Sequence, residues 1–389
     1  HIYFGNKLKI KTVTWKRCVD LNDRQLRKIN TGLSGEKNIV PREDGFDITV
    51  ASEIMAILCL SKDLKDLKNN LANIVIGYNE DDEPIYAKDL KAEGAMAVLL
   101  KDAINPNLVQ TLEHTPCLIH GGPFANIAHG CNSIRATKLA LKIGDYVITE
   151  AGFGSDLGAE KFLDIKSRKA NLNPSVVVIV ATIKALKYHG GATKEEILNP
   201  NDQALSNGMK NLYKHINNMK EEYGLNVIVA LNKFNTDKEK EIEFVKKDLN
   251  KNNIEISVVE GWAKGGEGAI EIANKIVEIS KNKTKLKFIY ENNDTIKEKI
   301  YKVATKIYGA KNVKYTEIAE EKIKKLEEKG ILNLPICIAK TQYSLSDDSK
   351  NLECKEEFSI TIRDIELKNG AGFIVVYSGK ILTMPGLPK

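Results

Sequence analysis

Between about residues 50 and 280, short runs of apolar residues alternate with stretches in which apolar residues recur every three or four positions. Runs of the first kind predict β-strands, and stretches of the second kind predict helices. The pattern predicts helices at residues 51–60, 63–71, 87–100 and 107–114, with a short strand at 73–78.

Five segments further along the chain share one layout, in which an apolar strand runs into a loop of glycine or polar residues and then into a helix. The strands are predicted at residues 117–120, 145–150, 176–181, 226–231 and 254–259. Strands that alternate with helices indicate an α/β fold with a mostly parallel, doubly wound sheet. Ligands bind beyond the carboxyl ends of the strands in such a sheet, so we expect all five loops and the functional site at one edge.

The pattern changes after residue 280, where the helices have Lys/Glu-rich faces and the strands are fewer. Helices are predicted at 294–308 and 316–329, and strands at 333–339, 358–362 and 373–377. The chain has 389 residues, of which 42% are hydrophobic, so it can bury a large core. At about 150 residues per domain, this length predicts two or three domains.

The charge and hydropathy of the sequence argue against two classes of binding partner, nucleic acids and membranes. The chain has 58 lysines and arginines against 52 acidic residues, and no segment concentrates the net charge of +6. A nucleic-acid-binding arm would concentrate it, so we expect no nucleic-acid partner. The apolar run at residues 176–181 is far shorter than the about 20 residues of a membrane-spanning helix, so we expect no membrane partner.

The spacing of the cysteines and the residues at the start of the sequence indicate the cellular compartment of the protein. None of the six cysteines lies in a CxxC pair; they are Cys18, Cys59, Cys117, Cys131, Cys337 and Cys354. The sequence given shows no secretory signal pattern at its start, so we expect reduced thiols in a cytoplasmic protein. A zinc site of Cys117, His120, His129 and Cys131 is an alternative, but it lacks the close pairwise spacing of structural zinc sites, and we assign no metal ligands.

The loop after the second of the five strands combines a carboxylate with glycines. Glu150 ends the predicted strand, and three glycines follow around Phe153, namely Gly152, Gly154 and Gly158. Glycine lets a ligand approach the backbone, and amide groups at a helix start attract anions. An anion site and an ordinary turn capped by Ser155 or Asp156 both fit this pattern.

The loop after the first strand is similar. Gly121 and Gly122 could hold an oxyanion or phosphate on backbone amides. His120 and His129 could transfer protons near neutral pH. A lone histidine is more often a structural hydrogen-bonding group, so we assign neither a catalytic role.

Phe234 and Trp262 each follow an apolar strand, in loops rich in glycine or polar residues. Two aromatic rings at one sheet edge could hold a flat heterocycle between them, because offset stacking of rings is favourable. Closing a hydrophobic core is the alternative role. The glycines and Lys264 around Trp262 favour a ligand contact.

The phosphate-binding sequence GxxxxGK followed by Ser or Thr does not occur in these 389 residues. Gly379-Lys380 is the only Gly-Lys pair, and Ile381 follows it. The chain as given therefore offers no P-loop lysine for the phosphates of ATP.

Several longer motifs together resemble the formate–tetrahydrofolate ligase family, in the family's order and over nearly the whole chain. These motifs lie at residues 14–17, 20–24, 41–48, 107–113, 120–133, 149–154, 262–268, 339–344 and 384–388. The resemblance implies that ATP phosphorylates formate, and that N10 of tetrahydrofolate takes the formyl group from formyl phosphate. The products would be 10-formyltetrahydrofolate, ADP and phosphate. It also implies a P-loop NTPase-like fold, Mg²⁺ with ATP, K⁺ or NH₄⁺ as an activator, and a homotetramer.

Site residues follow from the resemblance motif by motif. Phe234 and Trp262 would hold the pterin ring, and Phe153 and Gly154 would line a formyl phosphate pocket with Glu150 nearby. The remaining cofactor-binding residues implied by the resemblance are Lys264, Gly265, Gly266, Gly268, Phe124 and Asn126.

The resemblance also suggests how the chain is divided. We expect an incomplete nucleotide-binding domain at 1–220, a folate-binding α/β domain at 221–342 and a small β-rich domain at 343–389. In the family, the P-loop and a basic residue for formyl phosphate lie in a segment preceding this one, so we expect no formate-dependent ATPase activity from this chain alone. A catalytically inactive folate-binding or assembly module is the alternative; a region of a multifunctional folate enzyme is less favoured, since no dehydrogenase or cyclohydrolase is attached.

Overall fold

The computed structural model describes residues 1–353, 357–379 and 381–387. Cys354 of the predicted thiols, Lys380 of the Gly-Lys pair and Pro388 of the last motif lie outside the described residues. The strands are β1 (Ile10–Val13), β2 (Arg17–Val19), β3 (Ile29–Thr31), β4 (Arg42–Asp44), β5 (Phe46–Ile48), β6 (Val75–Asn79), β7 (Pro84–Tyr86), β8 (Asn107–Gln110), β9 (Pro116–Ile119), β10 (Val176–Ala181), β11 (Asn226–Asn232), β12 (Glu255–Val259), β13 (Asn312–Tyr315), β14 (Ile336–Ala339), β15 (Ser359–Ile362), β16 (Asp364–Lys368) and β17 (Phe373–Tyr377).

The helical part of the chain includes α-helices and shorter turns of other kinds. The α-helices are α1 (Glu53–Leu60), α2 (Leu64–Ala72), α3 (Glu93–Leu99), α4 (Ile134–Ile143), α5 (Arg168–Ala170), α6 (Ile183–His189), α7 (Asp202–Asn217), α8 (Glu239–Lys251), α9 (Gly261–Lys264), α10 (Ile270–Ser280), α11 (Ile296–Lys302) and α12 (Glu317–Glu328). π-Helical turns lie at Gly154–Ala159, Phe162–Ser167, Asn218–Glu222 and Val303–Tyr308, and 3₁₀ turns at Arg24–Arg27, Thr49–Ala51, Ala87–Leu90, Glu196–Leu198 and Gly265–Ala269. None of the helices in the described residues has both the length and the apolar composition needed to cross a membrane.

β10, β11 and β12 form a parallel sheet with β11 in the middle. Side chains alternate between the faces of a strand. Ile228 and Ala230 pack with Ile272 of α10 on one face, whereas Val229 and Leu231 belong to the core formed with α6, α7 and α8 on the other. An uninterrupted apolar run is what a strand buried on both faces requires. Because the strands are parallel and aligned, their carboxyl ends meet at one edge.

The predicted helix at 107–114 is wrong. Its first residues form β8, which pairs antiparallel with β9, and a tight turn joins the two strands. His114 adopts a left-handed backbone conformation with φ +63°, and the amide of Thr115 donates to the hydroxyl of Thr111 at 3.1 Å. A helix cannot accommodate this turn, and the segment at 117–120 extends the hairpin instead of joining the parallel sheet.

The predicted strand at 145–150 is also wrong, because these residues adopt no strand. Tyr146 and Ile148 are exposed. An apolar run becomes a strand only where a neighbouring strand can satisfy its backbone groups. The parallel sheet therefore has three of the five predicted strands among the described residues. The protein has an α/β fold with mixed sheets, and the P-loop NTPase-like, doubly wound arrangement stays a prediction.

Other predicted elements are confirmed. The helices at 51–60, 63–71 and 87–100 correspond to α1, α2 and α3 with flanking 3₁₀ turns, and the strand at 73–78 corresponds to β6. In the last part of the chain, α11, α12, β14, β15 and β17 lie where they were expected, whereas β13 and β16 were missed. The proposed division at 220/221 and 342/343 stays a prediction.

The C-terminal strands dock on the first helices of the chain. β17 pairs parallel with β14 and antiparallel with β16. In the turn before β17, the amides of Gly370 and Ala371 donate to Glu53 Oε1 in α1, at 2.8 and 3.1 Å. This contact fixes the C-terminal sheet against the N-terminal part of the protein.

α6 begins at the carboxyl edge of the parallel sheet and packs closely against α7. Its first turn is capped by Thr182, whose hydroxyl accepts from the amide of Ala185 at 3.0 Å. The two helices are in contact where Gly208 of α7 lies against the backbone of Leu186 in α6. A Cβ atom on Gly208 would lie 1.8 Å from the carbonyl oxygen of Leu186. Glycine at this position therefore sets the distance between the helices.

We predict that Gly208→Ala lowers the free energy of unfolding by about 1–3 kcal/mol, because the added methyl group forces α6 and α7 apart. Urea unfolding measures the change. Gly94→Ala in α3 is the matched control, since a Cβ atom there meets nothing within 4 Å. That control should be neutral or stabilising by up to about 1 kcal/mol; equal losses from the two substitutions would contradict the packing argument.

Candidate functional site

The loops that follow β11 and β12 lie side by side at the carboxyl edge of the parallel sheet, since Asn232 pairs with Val259 at the strand ends. Each loop carries an exposed aromatic side chain. Phe234 is 42% exposed and Trp262, in α9, is 85% exposed. Side chains this exposed do not close a hydrophobic core, so the alternative role is not supported.

The turn around Phe234 is held from two sides. The amide of Phe234 donates to Asp237 Oδ2 at 2.8 Å. Lys184 Nζ, from the first turn of α6 after β10, lies 4.9 Å from the centre of the Phe234 ring. Two neighbouring strand ends of the sheet, those of β10 and β11, therefore contribute to the surroundings of Phe234.

The loop at residues 264–268 needs glycine at defined points. Gly265 has φ +58°, and a Cβ atom on Gly268 would lie 2.5 Å from the carbonyl group of Glu260. The amide of Gly266 donates to Glu113 Oε1 at 2.6 Å, which ties this loop to the tip of the β8–β9 hairpin. Lys264 forms an ion pair with Glu260 at 2.6 Å. We call Phe234, Trp262 and residues 264–268 the sheet-edge site.

A second group of predicted residues lies in residues 150–158, which we call the glycine turn. Gly152 and Gly154 have φ +80° and +72°. A Cβ atom on Gly152 would lie 2.8 Å from the carbonyl oxygen of Gly130, so the glycine turn touches the loop at 121–130. Phe153 is 54% exposed, and Glu150 is exposed as well. The turn therefore presents an aromatic ring and a carboxylate to solvent.

Ser155 and Asp156 do not cap the helical segment that begins at Gly154, since its N-terminus has no side-chain cap. The Ser155 hydroxyl is instead 2.8 Å from His215 Nδ1, and Asp156 forms an ion pair with Lys340 at 2.8 Å. The side-chain cap that sequence reasoning allowed is absent. Both side chains connect the glycine turn to other parts of the chain.

The loop at 121–130 joins the same region. Phe124 and Asn126 are half-buried. The Asn126 side-chain amide donates to the carbonyl oxygen of Lys340 at 3.4 Å, and the buried Lys161 Nζ donates to the carbonyl oxygen of Ala125 at 2.6 Å. The loop at 121–130, the glycine turn and the motif at 339–344 are far apart in sequence, and they meet around Lys340.

The thiol of Cys131, next to this loop, is buried. Burial raises the pKa of Cys131 to about 11, and the negative charge of Glu150 adds to the rise. Cys131 therefore stays protonated near neutral pH. Among the described residues, no three His, Cys, Asp or Glu side chains are grouped so as to hold a metal ion, which does not support the zinc alternative.

The two histidines of this region are buried. His120 lies 2.6 Å from the Ser133 hydroxyl and 2.7 Å from the carbonyl oxygen of Ala103 through its two ring nitrogens. His129 is fully buried, and neither ring nitrogen has a hydrogen-bond partner among the described residues. Burial lowers the pKa of His129 to about 3, with Lys166 and Lys169 adding to the shift. His129 is therefore neutral and closed off from proton transfer near pH 7.

A sequence model of the family described as formate–tetrahydrofolate ligase matches residues 1–389. The chain belongs to the formate–tetrahydrofolate ligase family. Membership implies an ATP-dependent ligation of formate to tetrahydrofolate, with ATP, formate and tetrahydrofolate as substrates.

Sequence reasoning missed several residues of this ligase family member that contact the sheet-edge site or the region around the glycine turn. Asp156 was considered only as a helix cap, and Lys340 and Glu113 were noted only as parts of motifs. Lys184 was noted only as part of the loop after the strand at 176–181, and Lys161 was not singled out. Lys340 follows an apolar strand directly, and a cation at the end of a buried strand is a signal that could have found it.

We predict that the neutral, buried His129 makes stability depend on pH. Its pKa falls from 6.5 to about 3 on folding. Below pH 6.5 the unfolded chain binds a proton that the folded chain does not, so stability falls as the pH falls. Between pH 7 and pH 5, the free energy of unfolding should fall by about 2 kcal/mol more in the parent than in His129→Leu.

Urea unfolding at the two pH values measures this difference. The control is His114→Asn, because His114 is exposed and its left-handed backbone conformation suits asparagine. This control should follow the parent at both pH values. The explanation fails if His129→Leu keeps the full pH dependence of the parent.

Proposed function

We propose that this protein contributes to the ATP-dependent formylation of tetrahydrofolate by way of formyl phosphate. The observation that carries the proposal is the pair of exposed aromatic side chains, Phe234 and Trp262, on adjacent strand ends, in a chain that matches the ligase family from residue 1 to 389. In an α/β sheet, this edge is where ligands bind.

The sheet-edge site would hold tetrahydrofolate. The pterin is a flat, partly aromatic ring system, and stacking between two rings excludes water while it fixes the plane of the ligand. Lys264 and the glycines at 265, 266 and 268 would lie beside the folate and the nucleotide, where the absence of side chains lets ligands approach the backbone. Phe124 and Asn126 would line the neighbouring loop.

The glycine turn would hold formyl phosphate, with Phe153 and Gly154 lining the pocket and Glu150 nearby. A formate oxygen attacks the γ-phosphorus of ATP, and ADP leaves as the P–O bond to it breaks. N10 of tetrahydrofolate then attacks the formyl carbon, phosphate leaves, and N10 loses its proton. The backbone of the glycine turn supplies amide groups that favour a bound anion.

Magnesium enters this reaction as part of the Mg–ATP substrate, and we assign it no protein ligands. K⁺ or NH₄⁺ is proposed as an activator, again without an assigned site. We further propose a cytoplasmic homotetramer and the three-domain division given above, all on the strength of the family resemblance.

The aromatic pair gives the first functional prediction. Trp262→Ala and Phe234→Ala should each weaken tetrahydrofolate binding about tenfold, because one ring contact is worth roughly 1–1.5 kcal/mol. Isothermal titration calorimetry measures the affinity without depending on tryptophan fluorescence.

Tyr301→Ala is the matched control, since Tyr301 is also an exposed aromatic residue but lies on α11. Its affinity for tetrahydrofolate should equal that of the parent. Unchanged affinity in both sheet-edge variants would remove the support for the pterin site.

A second candidate function is tetrahydrofolate binding or assembly without catalysis. It is favoured by the sequence given, which contains no GxxxxGK[ST] motif to cradle the phosphates of ATP. The two candidates differ in whether formate stimulates release of ADP by this polypeptide.

We predict that the 389-residue polypeptide alone binds tetrahydrofolate but releases no ADP in response to formate. The reason is that these 389 residues contain no GxxxxGK[ST] motif to cradle the phosphates of ATP. The assay supplies Mg–ATP, formate and tetrahydrofolate, and it measures ADP with and without formate. Turnover near that of an active family member would contradict the second candidate and support the full reaction for this chain.

A further inference from the structure

Lys340 is a buried cation whose three N–H groups are all used. It follows β14 directly, and its side chain is completely buried. Nζ donates to Asp156 Oδ2 at 2.8 Å, to the carbonyl oxygen of Thr341 at 3.0 Å, and to the carbonyl oxygen of Ser344. An ammonium group has three donors, so no further partner is needed.

Asp156 brings the glycine turn into this contact. Its side chain is almost completely buried, and it follows Gly154 by two residues. Burial by itself would raise the pKa of Asp156, but Lys340 and His215 outweigh burial and hold the pKa below its usual value. Asp156 is therefore an anion in the folded protein, and its charge faces Lys340.

The geometry around Gly154 leaves little freedom. A Cβ atom on Gly154 would lie 3.2 Å from Asp156 Oδ1, so the carboxylate packs beneath the turn. Ser155, between the two, is held by His215 at 2.8 Å. The position of Phe153 and Gly154 therefore depends on where Asp156 is anchored.

Lys340 also contacts the neighbouring loop and the core. Its carbonyl oxygen accepts from Asn126 at 3.4 Å, and its ammonium group lies 5.0 Å from the centre of the buried Tyr308 ring. One residue thus connects the loop at 121–130, the glycine turn and the end of β14.

A buried ion pair is a poor source of net stability, because removing two charges from water offsets most of their attraction. The chain itself shows that a buried lysine needs no carboxylate. Lys299 is equally buried, and it donates to the carbonyl oxygens of Asn292, Leu332 and Leu334. Unlike Lys299, Lys340 fixes a carboxylate in place, and this carboxylate belongs to the glycine turn.

We propose that Asp156 and Lys340 are positioning residues that hold Phe153 and Gly154 in the shape required to bind an acyl phosphate. This inference rests on the proposed function, in which the glycine turn lines the formyl phosphate pocket. Neither residue touches the substrate, since both are buried behind the turn.

Asp156→Asn and Lys340→Met test the proposal in the full chain with two measurements. Amide hydrogen exchange at residues 151–158 should be at least tenfold faster in both variants, whereas exchange in the parallel sheet of β10, β11 and β12 should be unchanged. Binding of acetyl phosphate, used as the acyl phosphate probe, should be at least tenfold weaker by calorimetry, while tetrahydrofolate affinity stays within twofold. Asp156→Glu, which keeps the charge, should restore acetyl phosphate affinity to within threefold of the parent.

The matched controls remove buried charges elsewhere. Glu241→Gln breaks a buried ion pair with Lys187 at 2.9 Å, and Lys299→Met removes another fully buried lysine. Both should lower the melting temperature as the test variants do, yet leave exchange at 151–158 and acetyl phosphate affinity unchanged.

Two results would overturn the proposal. One is unchanged exchange at 151–158 in Asp156→Asn and Lys340→Met. The other is an equal effect of the controls, which would mean that the pair has only a general structural role. If the parent chain fails to bind acetyl phosphate, the proposed pocket is wrong, and the exchange measurement still decides whether the ion pair fixes the turn.

Discussion

An ammonium group and a carboxylate can be buried together only where both have hydrogen-bond partners. This requirement determines how the segments around Lys340 are arranged. Its three donors reach Asp156 and two backbone carbonyl groups, and its own carbonyl oxygen accepts from Asn126. Moving any of these segments would leave a buried charge or a donor unpaired, which is costly. The glycine turn, the loop at 121–130 and the end of β14 therefore keep one arrangement.

The sheet-edge site depends on a different constraint, which is the parallel alignment of β10, β11 and β12. Helices cover both faces of this sheet, so its edge is where loops and ligands can meet. Phe234 and Trp262 are exposed there because the loops turn away from the core. Close contacts at Gly266 and Gly268 hold the second loop against Glu113 and Glu260. These contacts fix the backbone of the second loop, while both aromatic rings remain exposed.

Sequence reasoning succeeded where local pattern and tertiary environment agree. The apolar runs of β10, β11 and β12 are long and β-branched, and burial on both faces requires such runs. It failed at 107–114 and 145–150, where the same local signals met different surroundings. At 107–114 a left-handed His114 closes a hairpin, and at 145–150 no neighbouring strand in the described residues pairs with the backbone. Pairing is a property of the partner strand, so one segment's composition cannot decide it.

The sequence alone determined that the chain is an α/β protein with glycine-rich loops after apolar strands, and its motifs were sufficient to indicate the family. Those features depend on neighbouring residues, whose periodicity and turn preferences act locally. Only the tertiary structure decided that Asp156 pairs with Lys340, that His129 is neutral and closed off, and that Glu113 holds Gly266. The two contacts join residues that are 153 or more positions apart in the sequence, and the charge state of His129 depends on its burial. The free energy of a charged group depends on what surrounds it after folding, so local sequence does not determine it.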